Sequence, residues 1–245
     1  MALILLTNDD GYDALGFQTL YKELIRQKDL DVFAVAPQRE QSGASHSLTL
    51  RHPIRVEKVR DKFFTVDGTP TDCVLLAYHD LMNKKIDLVV SGINHGPNMG
   101  SDVFYSGTVA AALQGATLGV KSMAISLSSQ EYSDFSEAVK YAANLIQRVI
   151  RTKVDSLILN INIPDGKISG EKITKMGKRI YQDKVIRNSE KENVMYSVID
   201  GVLSYTVDAD TDFKAIDEGY VSITPLKLDL TDYEGMRLIP DFLGR

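Results

Sequence analysis

The chain has 245 residues, with 28 lysines and arginines against 33 aspartates and glutamates for a formal charge of −5, and 44% hydrophobic and 25% charged residues. These proportions belong to a soluble globular protein rather than a disordered or fibrous one, and the acidic balance argues against a partner of duplex nucleic acid. The single cysteine, Cys73, removes the disulfide-framework class and points to a reducing cytoplasm, and no stretch approaches the roughly 20 apolar residues of a membrane span.

The first apolar run, Ala2–Thr7, fits a buried parallel strand and is too short for a signal-peptide core. Phe17, Leu20, Tyr21, Leu24 and Ile25 then recur at helical spacing, and Asp31–Ala36 is a second strand stopped by Pro37. The polar segment Gln38–Ser47 follows as a loop. Ile54–Val59 and Phe63–Val66 predict a hairpin. Thr69, Pro70 and Asp72 form a helix-start signature, with the cap, the rigid first residue and the returning carboxylate in the expected places. Asp87–Ser91 is the next buried strand, ending at Gly92-Ile93-Asn94 in a glycine-punctuated loop that runs to Gly107. Thr108–Leu118 is helical in character, Ser122–Leu127 a strand, Phe135 to Val149 an amphipathic helix and Leu157–Ile163 a strand.

Strands and helices thus alternate to about residue 163, which predicts an α/β fold with a Rossmann-like, mostly parallel sheet flanked by helices. Beyond Pro164 the texture changes. Lys172–Met176 reads as extended, and Val194–Ile199 and Val202–Val207 flank Asp200-Gly201 as a hairpin with a type I′ turn. The charged stretch Asp183–Glu192 reads as a solvated loop, Tyr220–Leu226 as a strand, and Tyr233–Leu243 as a terminal segment, a helix cut by Pro240. The expected organisation is a single domain: a core of about 1–163 plus 210–230, an extended C-terminal β-hairpin appendage at about 170–207, and a tail over 231–245.

Ligands of open α/β sheets bind at the carboxyl ends of the strands, so three loops matter. The first carries Thr7-Asn8-Asp9-Asp10-Gly11. Adjacent carboxylates at a buried strand end repel one another unless solvated, protonated or bridged by a cation. Read alone, Asp10 or Asp13 could instead cap the next helix while Gly11 makes the turn. The second loop, Gln41–Ser47, is rich in small hydroxyl residues and by itself ordinary. In the third, Ser106-Gly107-Thr108 at a helix start would aim N–H groups and the positive end of the helix dipole at an anion, or would simply cap the helix. Asp9, Asp10, Ser42 and Asn94 all offer oxygen, a set suited to Mg²⁺ or Mn²⁺ rather than structural zinc. A cation facing an anion-binding helix start suits phosphate-ester hydrolysis. Cys73 reads as a packed thiol, and His46 and His95 as loop histidines.

Other phosphate and acyl chemistries fail on spacing. The chain has no G-x-x-x-x-G-K-[ST], no G-x-G-x-x-G after the first strand and no G-x-S-x-G elbow. The two aspartates are adjacent rather than two apart, which favours direct attack by water over a phosphoaspartyl intermediate.

Five blocks in order carry a resemblance: Leu3–Gly11, Ala36-Pro37 with Ser42–Ser45, Gly68–Val74, Val90–Asn94 and Asp102–Val109. They resemble the SurE survival-protein family, and Asp210–Leu226 is similar to that family's C-terminal signature. The resemblance implies a metal-dependent 5′-nucleotidase acting on nucleoside monophosphates, in some members on 3′-nucleotides and short polyphosphate. It implies Asp9, Asp10, Ser42 and Asn94 as ligands of the divalent ion, phosphate contacts from Asn98, Ser106, Gly107 and Thr108, and water activation by Asp9 or Asp10. It further implies a homodimer or homotetramer with exchanged C-terminal arms. One departure is visible: Gln114 stands where many relatives have Glu. A non-catalytic nucleotide-binding regulatory module, or a hairpin that docks another protein, is the alternative.

Overall fold

The computed structural model describes residues 1–129, 134–191, 194–206 and 208–239. Its elements run β1 (Ala2–Thr7), α1 (Leu15–Leu24), β2 (Leu30–Pro37), β3 (Val56–Arg60), β4 (Phe63–Val66), α2 (Pro70–Leu76), β5 (Leu88–His95), α3 (Gly107–Thr117), β6 (Ser122–Ser128) and α4 (Ser136–Ile150). They continue with β7 (Ile158–Pro164), β8 (Glu171–Ile173), β9 (Arg179–Lys191), β10 (Val194–Tyr205), α5 (Asp212–Asp217) and β11 (Val221–Pro225). One sheet has the order β3-β4-β2-β1-β5-β6-β7-β11-β8; β9 and β10 pair separately. From β4 through β7 every neighbouring pair is parallel, while β3 and β11 run antiparallel to β4 and β7.

Both faces of the sheet are covered, which explains why β1 is apolar throughout rather than alternating. Ile4 and Leu6 pack with Phe17, Leu20 and Leu24 of α1 and Ala142, Leu145 and Ile146 of α4. Leu3 and Leu5 face the other way, onto Val74 of α2 and Ala111 of α3. Each buried Leu, Ile, Val or Phe among them contributes roughly 2 kcal/mol of burial free energy. The helix-start signature at Thr69 is realised in full: its hydroxyl accepts from Asp72 N while the Asp72 carboxylate accepts from Thr69 N. Cys73 is buried among these apolar side chains. Among the described residues, no helix is long and apolar enough to cross a membrane.

Three expectations need correction. β5 does not end at Ser91. It runs on to His95, with a break in register after which Asn94 and His95 pair with Ser126 and Leu127 of β6. The reversal of the C-terminal hairpin is not at Asp200-Gly201, because those residues pair with Lys184 and Asp183 inside β10, and Val194 pairs with Lys191. A turn at Asp200-Gly201 would leave Arg179–Lys191 without a partner strand, so full pairing of two long segments overrides the local turn preference of Asp-Gly. Asp183–Glu192 is accordingly strand up to Lys191 rather than loop. At the C-terminus a 3₁₀ turn spans Gly235–Arg237, and the expected helix break at Pro240 lies outside the described residues.

Candidate active site

The strand order reverses at β1. The chain leaves β1 for β2 on one side and, after α2, returns to β5 on the other. The crevice between the ends of β1 and β5 is therefore the topological switch point, where open α/β sheets bind ligands. Asp9 and Asp10 stand at the end of β1, Asn94 and His95 at the end of β5.

Neither Asp10 nor Asp13 caps the following helix. The N-cap residue of α1 is Ala14, with no side-chain cap bond. Both carboxylates turn toward the crevice instead. Asp9 Oδ1 accepts from the hydroxyl of Thr108, in the first turn of α3. The approach is so close that a Cβ on Gly107 would lie 2.8 Å from the Asp9 Cβ and 3.0 Å from its Oδ2, so glycine is required there. The helix start thus faces a carboxylate, as its dipole favours. Asp10 Oδ2 accepts from His95 N at 3.0 Å, joining β1 to β5.

Burial pushes the Asp9 carboxyl above its usual range, against the hydrogen bonds from the Thr108 hydroxyl and backbone N–H that favour the charged form. Burial and then the neighbouring Asp9 push Asp10 up to about 6. Glu40, from the loop after β2, raises both further. Among the described residues, neither aspartate forms an ion pair with a lysine or arginine. An uncompensated pair of carboxylates, Asp9 buried and Asp10 half-buried, is a setting that a cation relieves. Among the described residues no group of three or more His, Cys, Asp or Glu could hold an ion, so a metal here would need neutral oxygens as well. Asn94 supplies one: its amide donates to the backbone carbonyls of Gly96 at 2.8 Å and His95 at 3.4 Å, which leaves the carboxamide oxygen to face elsewhere. The second loop is joined to the site by Gln41 N, which donates to Asp9 O at 2.7 Å. Ser42 itself is turned outward, donating to Glu40 Oε1 at 2.7 Å. Two carboxylates with carboxamide and hydroxyl oxygens fit a hard divalent cation.

The expected phosphate contacts divide. Gly107 and Thr108 lie against Asp9. Ser106 does what a cap residue does, its hydroxyl accepting from Val109 N at 3.1 Å, while its own N–H donates to Asp102 O. Asn98 is tied into a buried carboxamide network. Its N–H donates to Asn162 Oδ1 at 2.8 Å, its side chain to Ser126 Oγ at 2.9 Å, and its carbonyl accepts from Asn160 and Asn162. The sequence reading missed Asn160 and Asn162, although two asparagines at i, i+2 in an otherwise apolar buried strand must find partners on one face. It also missed Glu40, which no spacing rule marks.

Two further groups hold the third loop. The Asp212 carboxylate accepts from Gly100 N and Gly177 N, both at 2.8 Å. Arg179, the first residue of β9, is ion-paired with Asp102. The root of the β9–β10 ribbon is thereby fastened to the loop that ends at Ser106.

A family model described as Survival protein SurE matches residues 4–183. The chain is 41% identical over 244 residues to a 5′-nucleotidase SurE of Natranaerobius thermophilus, covering 94% of each chain. It is 45% identical over 247 residues to a 5′/3′-nucleotidase SurE of Salmonella paratyphi A, covering 98% of this chain and 96% of that one. A crystal structure of the SurE protein from Aquifex aeolicus superposes with a TM-score of 0.87 at 40% identity, covering 99% of this chain and 100% of that chain.

Proposed function

The chain belongs to the SurE survival-protein family, and from that premise we propose how its switch-point crevice works as a 5′-nucleotidase, hydrolysing nucleoside monophosphates to nucleoside and phosphate. Activity on 3′-monophosphates and short polyphosphate belongs to the same reading. The observation that carries it is the meeting of a helix start and a carboxylate pair at one point: Thr108 hydrogen-bonded to Asp9, with Gly107 bare against it.

In this reading Asp9, Asp10, Ser42 and Asn94 hold a divalent cation, Mg²⁺ or Mn²⁺, and Ser42 reaches it by rotating from Glu40. When bound, the ion offsets phosphate charge and acidifies water. The remaining work falls to the chain's own groups. The first turn of α3 presents the Gly107 N–H to phosphate oxygens, and the Thr108 N–H joins it by turning from the Asp9 carboxyl; there they stabilise charge that develops during in-line attack. Thr108 holds Asp9 in one orientation, and His95 N–H holds Asp10. Asp10, the more accessible of the two, accepts the proton of the attacking water. Asn98 keeps the loop in register through β7.

The β9–β10 ribbon is the oligomerisation appendage of a single domain, exchanged between subunits of a homodimer or homotetramer, and the protein works in the cytoplasm. The test of the activity is hydrolysis of nucleoside 5′-monophosphates with Mn²⁺ or Mg²⁺, before and after EDTA. Turnover that EDTA abolishes and metal restores is expected. Turnover that survives EDTA would overturn the mechanism, and no turnover with any divalent ion would leave a nucleotide-binding module.

A further inference from the structure

Beside the start of α3, the second loop is stitched onto the third. Ser45, at φ +54, donates its hydroxyl to Phe104 O at 2.7 Å and its N–H to Tyr105 O at 3.1 Å. One residue on, His46 Nε2 lies 3.1 Å from Gln114 Oε1, and Gln114 Nε2 donates to Thr117 Oγ1 at 2.8 Å. With its amide so engaged, Gln114 offers only an acceptor to His46, so the Nε2 of that ring carries the proton. These bonds fix one side of a cavity of about 480 Å³ that begins at Ser106, the residue before Gly107. Its walls are mostly apolar, formed by Val103 and Phe104, Leu113 of α3, Met176 and Leu226, with His46 on one side and Lys227 and Asp229 also in the lining. Phe104 is 55% exposed, a ring that the core does not use.

We propose that this cavity seats the base and ribose of the substrate, with Phe104 as the surface on which the base stacks. The proposal rests on the nucleotidase reading of the adjoining crevice and adds the site that holds the rest of the molecule. A nucleotide joins a flat, uncharged ring through a sugar to a dianion. It needs an apolar recess continuous with an anion-binding helix start, and Ser106 is the shared boundary. The volume lies within the ~300–1,000 Å³ of small-molecule sites. Every base has a π-face, so a stacking surface discriminates weakly among them, and purine and pyrimidine nucleotides are both substrates.

The test is steady-state kinetics of the wild type, Phe104→Ala, Phe104→Tyr and Leu113→Trp on a nucleoside 5′-monophosphate and on glycerol phosphate, an ester without a ring. The ratio of kcat/KM for nucleotide to that for glycerol phosphate should fall about tenfold in Phe104→Ala, through KM, as expected for loss of one stacked base. It should fall at least as far in Leu113→Trp, which fills the cavity, and stay at the wild-type value in Phe104→Tyr. An unchanged ratio in the first two variants overturns the proposal. A wild type that hydrolyses neither ester with any divalent ion defeats the nucleotidase reading instead. The cavity is then decided by calorimetric binding of nucleoside monophosphate and of inorganic phosphate in EDTA. Weaker nucleotide binding by Phe104→Ala with phosphate binding unaltered supports it, and equal effects on both, no effect, or no nucleotide binding by the wild type overturns it.

Discussion

The hydroxyl of Thr108 donates to the carboxylate of Asp9 and so ties the first turn of α3 to the end of β1 across 99 residues of sequence. That bond orients the more buried of the two carboxylates. Asp9→Asn should keep the fold and its melting temperature, because removing a charge relieves the repulsion from Asp10, but should lower kcat on the order of a thousandfold, as expected for several kcal/mol of lost transition-state stabilisation. Thr108→Val should lower kcat by a smaller factor, roughly 10- to 150-fold for a hydrogen bond worth about 1.5–3 kcal/mol to a charged group. Paired kinetic and melting measurements check both; an Asp9→Asn variant with full activity would remove Asp9 from the mechanism.

Gly107→Ala isolates the close approach. Alanine at an ordinary helix position stabilises by about 1 kcal/mol over glycine. Here its Cβ would meet the Asp9 Cβ at 2.8 Å, and neither atom lies on a flexible side-chain end. The helix start must retreat, at a cost of about 1–3 kcal/mol. The expected result is a lower melting temperature together with at least a tenfold loss of kcat/KM (about 1.4 kcal/mol). A more stable, fully active variant would show that the contact has no role.

The raised Asp10 pKa has a definite sign in the metal-free protein. A carboxyl whose folded-state value stands at about 6 against 3.8 unfolded binds its proton more tightly when folded. Its favourable contribution is therefore full below about pH 4 and lost as pH rises through 6, to a maximum of roughly 3 kcal/mol. In EDTA, the wild type should gain stability relative to Asp10→Asn as the buffer moves from pH 7.5 to pH 5. Parallel melting curves for the two proteins across that interval would count against the shift. Added Mn²⁺ should raise the wild-type melting temperature at pH 7.5 more than at pH 5, since protons compete with the cation.

Asn162→Ala tests the network under the third loop. It removes the acceptor of Asn98 N and one donor to Asn98 O. A buried N–H left without a partner costs about 1–3 kcal/mol. The midpoint of urea unfolding should fall accordingly, and KM for nucleotide should rise because the loop leading to Ser106 loses its anchor on β7. An unchanged KM would make Asn162 a purely structural residue.

The parallel core was legible because periodicity and burial agree there: β1 is apolar on both faces, and the Thr69 signature is local chemistry that needs no tertiary partner. The ends of elements were less so. Ser91 looked terminal because Gly92 follows, yet pairing of Asn94 and His95 with β6 extends the strand. Asp200-Gly201 misled for the opposite reason, a strong local turn signal outweighed by a long ladder. In the site, Asp9, Asp10 and Asn94 were visible from their strand ends. Asn98 was expected to contact phosphate, and the structure adds bonds from it to Ser126, Asn160 and Asn162 that no sequence pattern announces. Those bonds depend on a strand some 60 residues away, and no local pattern contains them.

The single carboxylate of Asp212 reaches Gly100 on one side and Gly177 on the other, and Arg179 grips Asp102 just beyond. The root of the ribbon is thus seated against the loop that leads to Ser106. An insertion in β9 away from Gly177 and Arg179 leaves those contacts in place. The same insertion beside Lys178 would separate Gly177 from Arg179 and unseat the loop it steadies. The root of the ribbon is therefore the place to disable this protein.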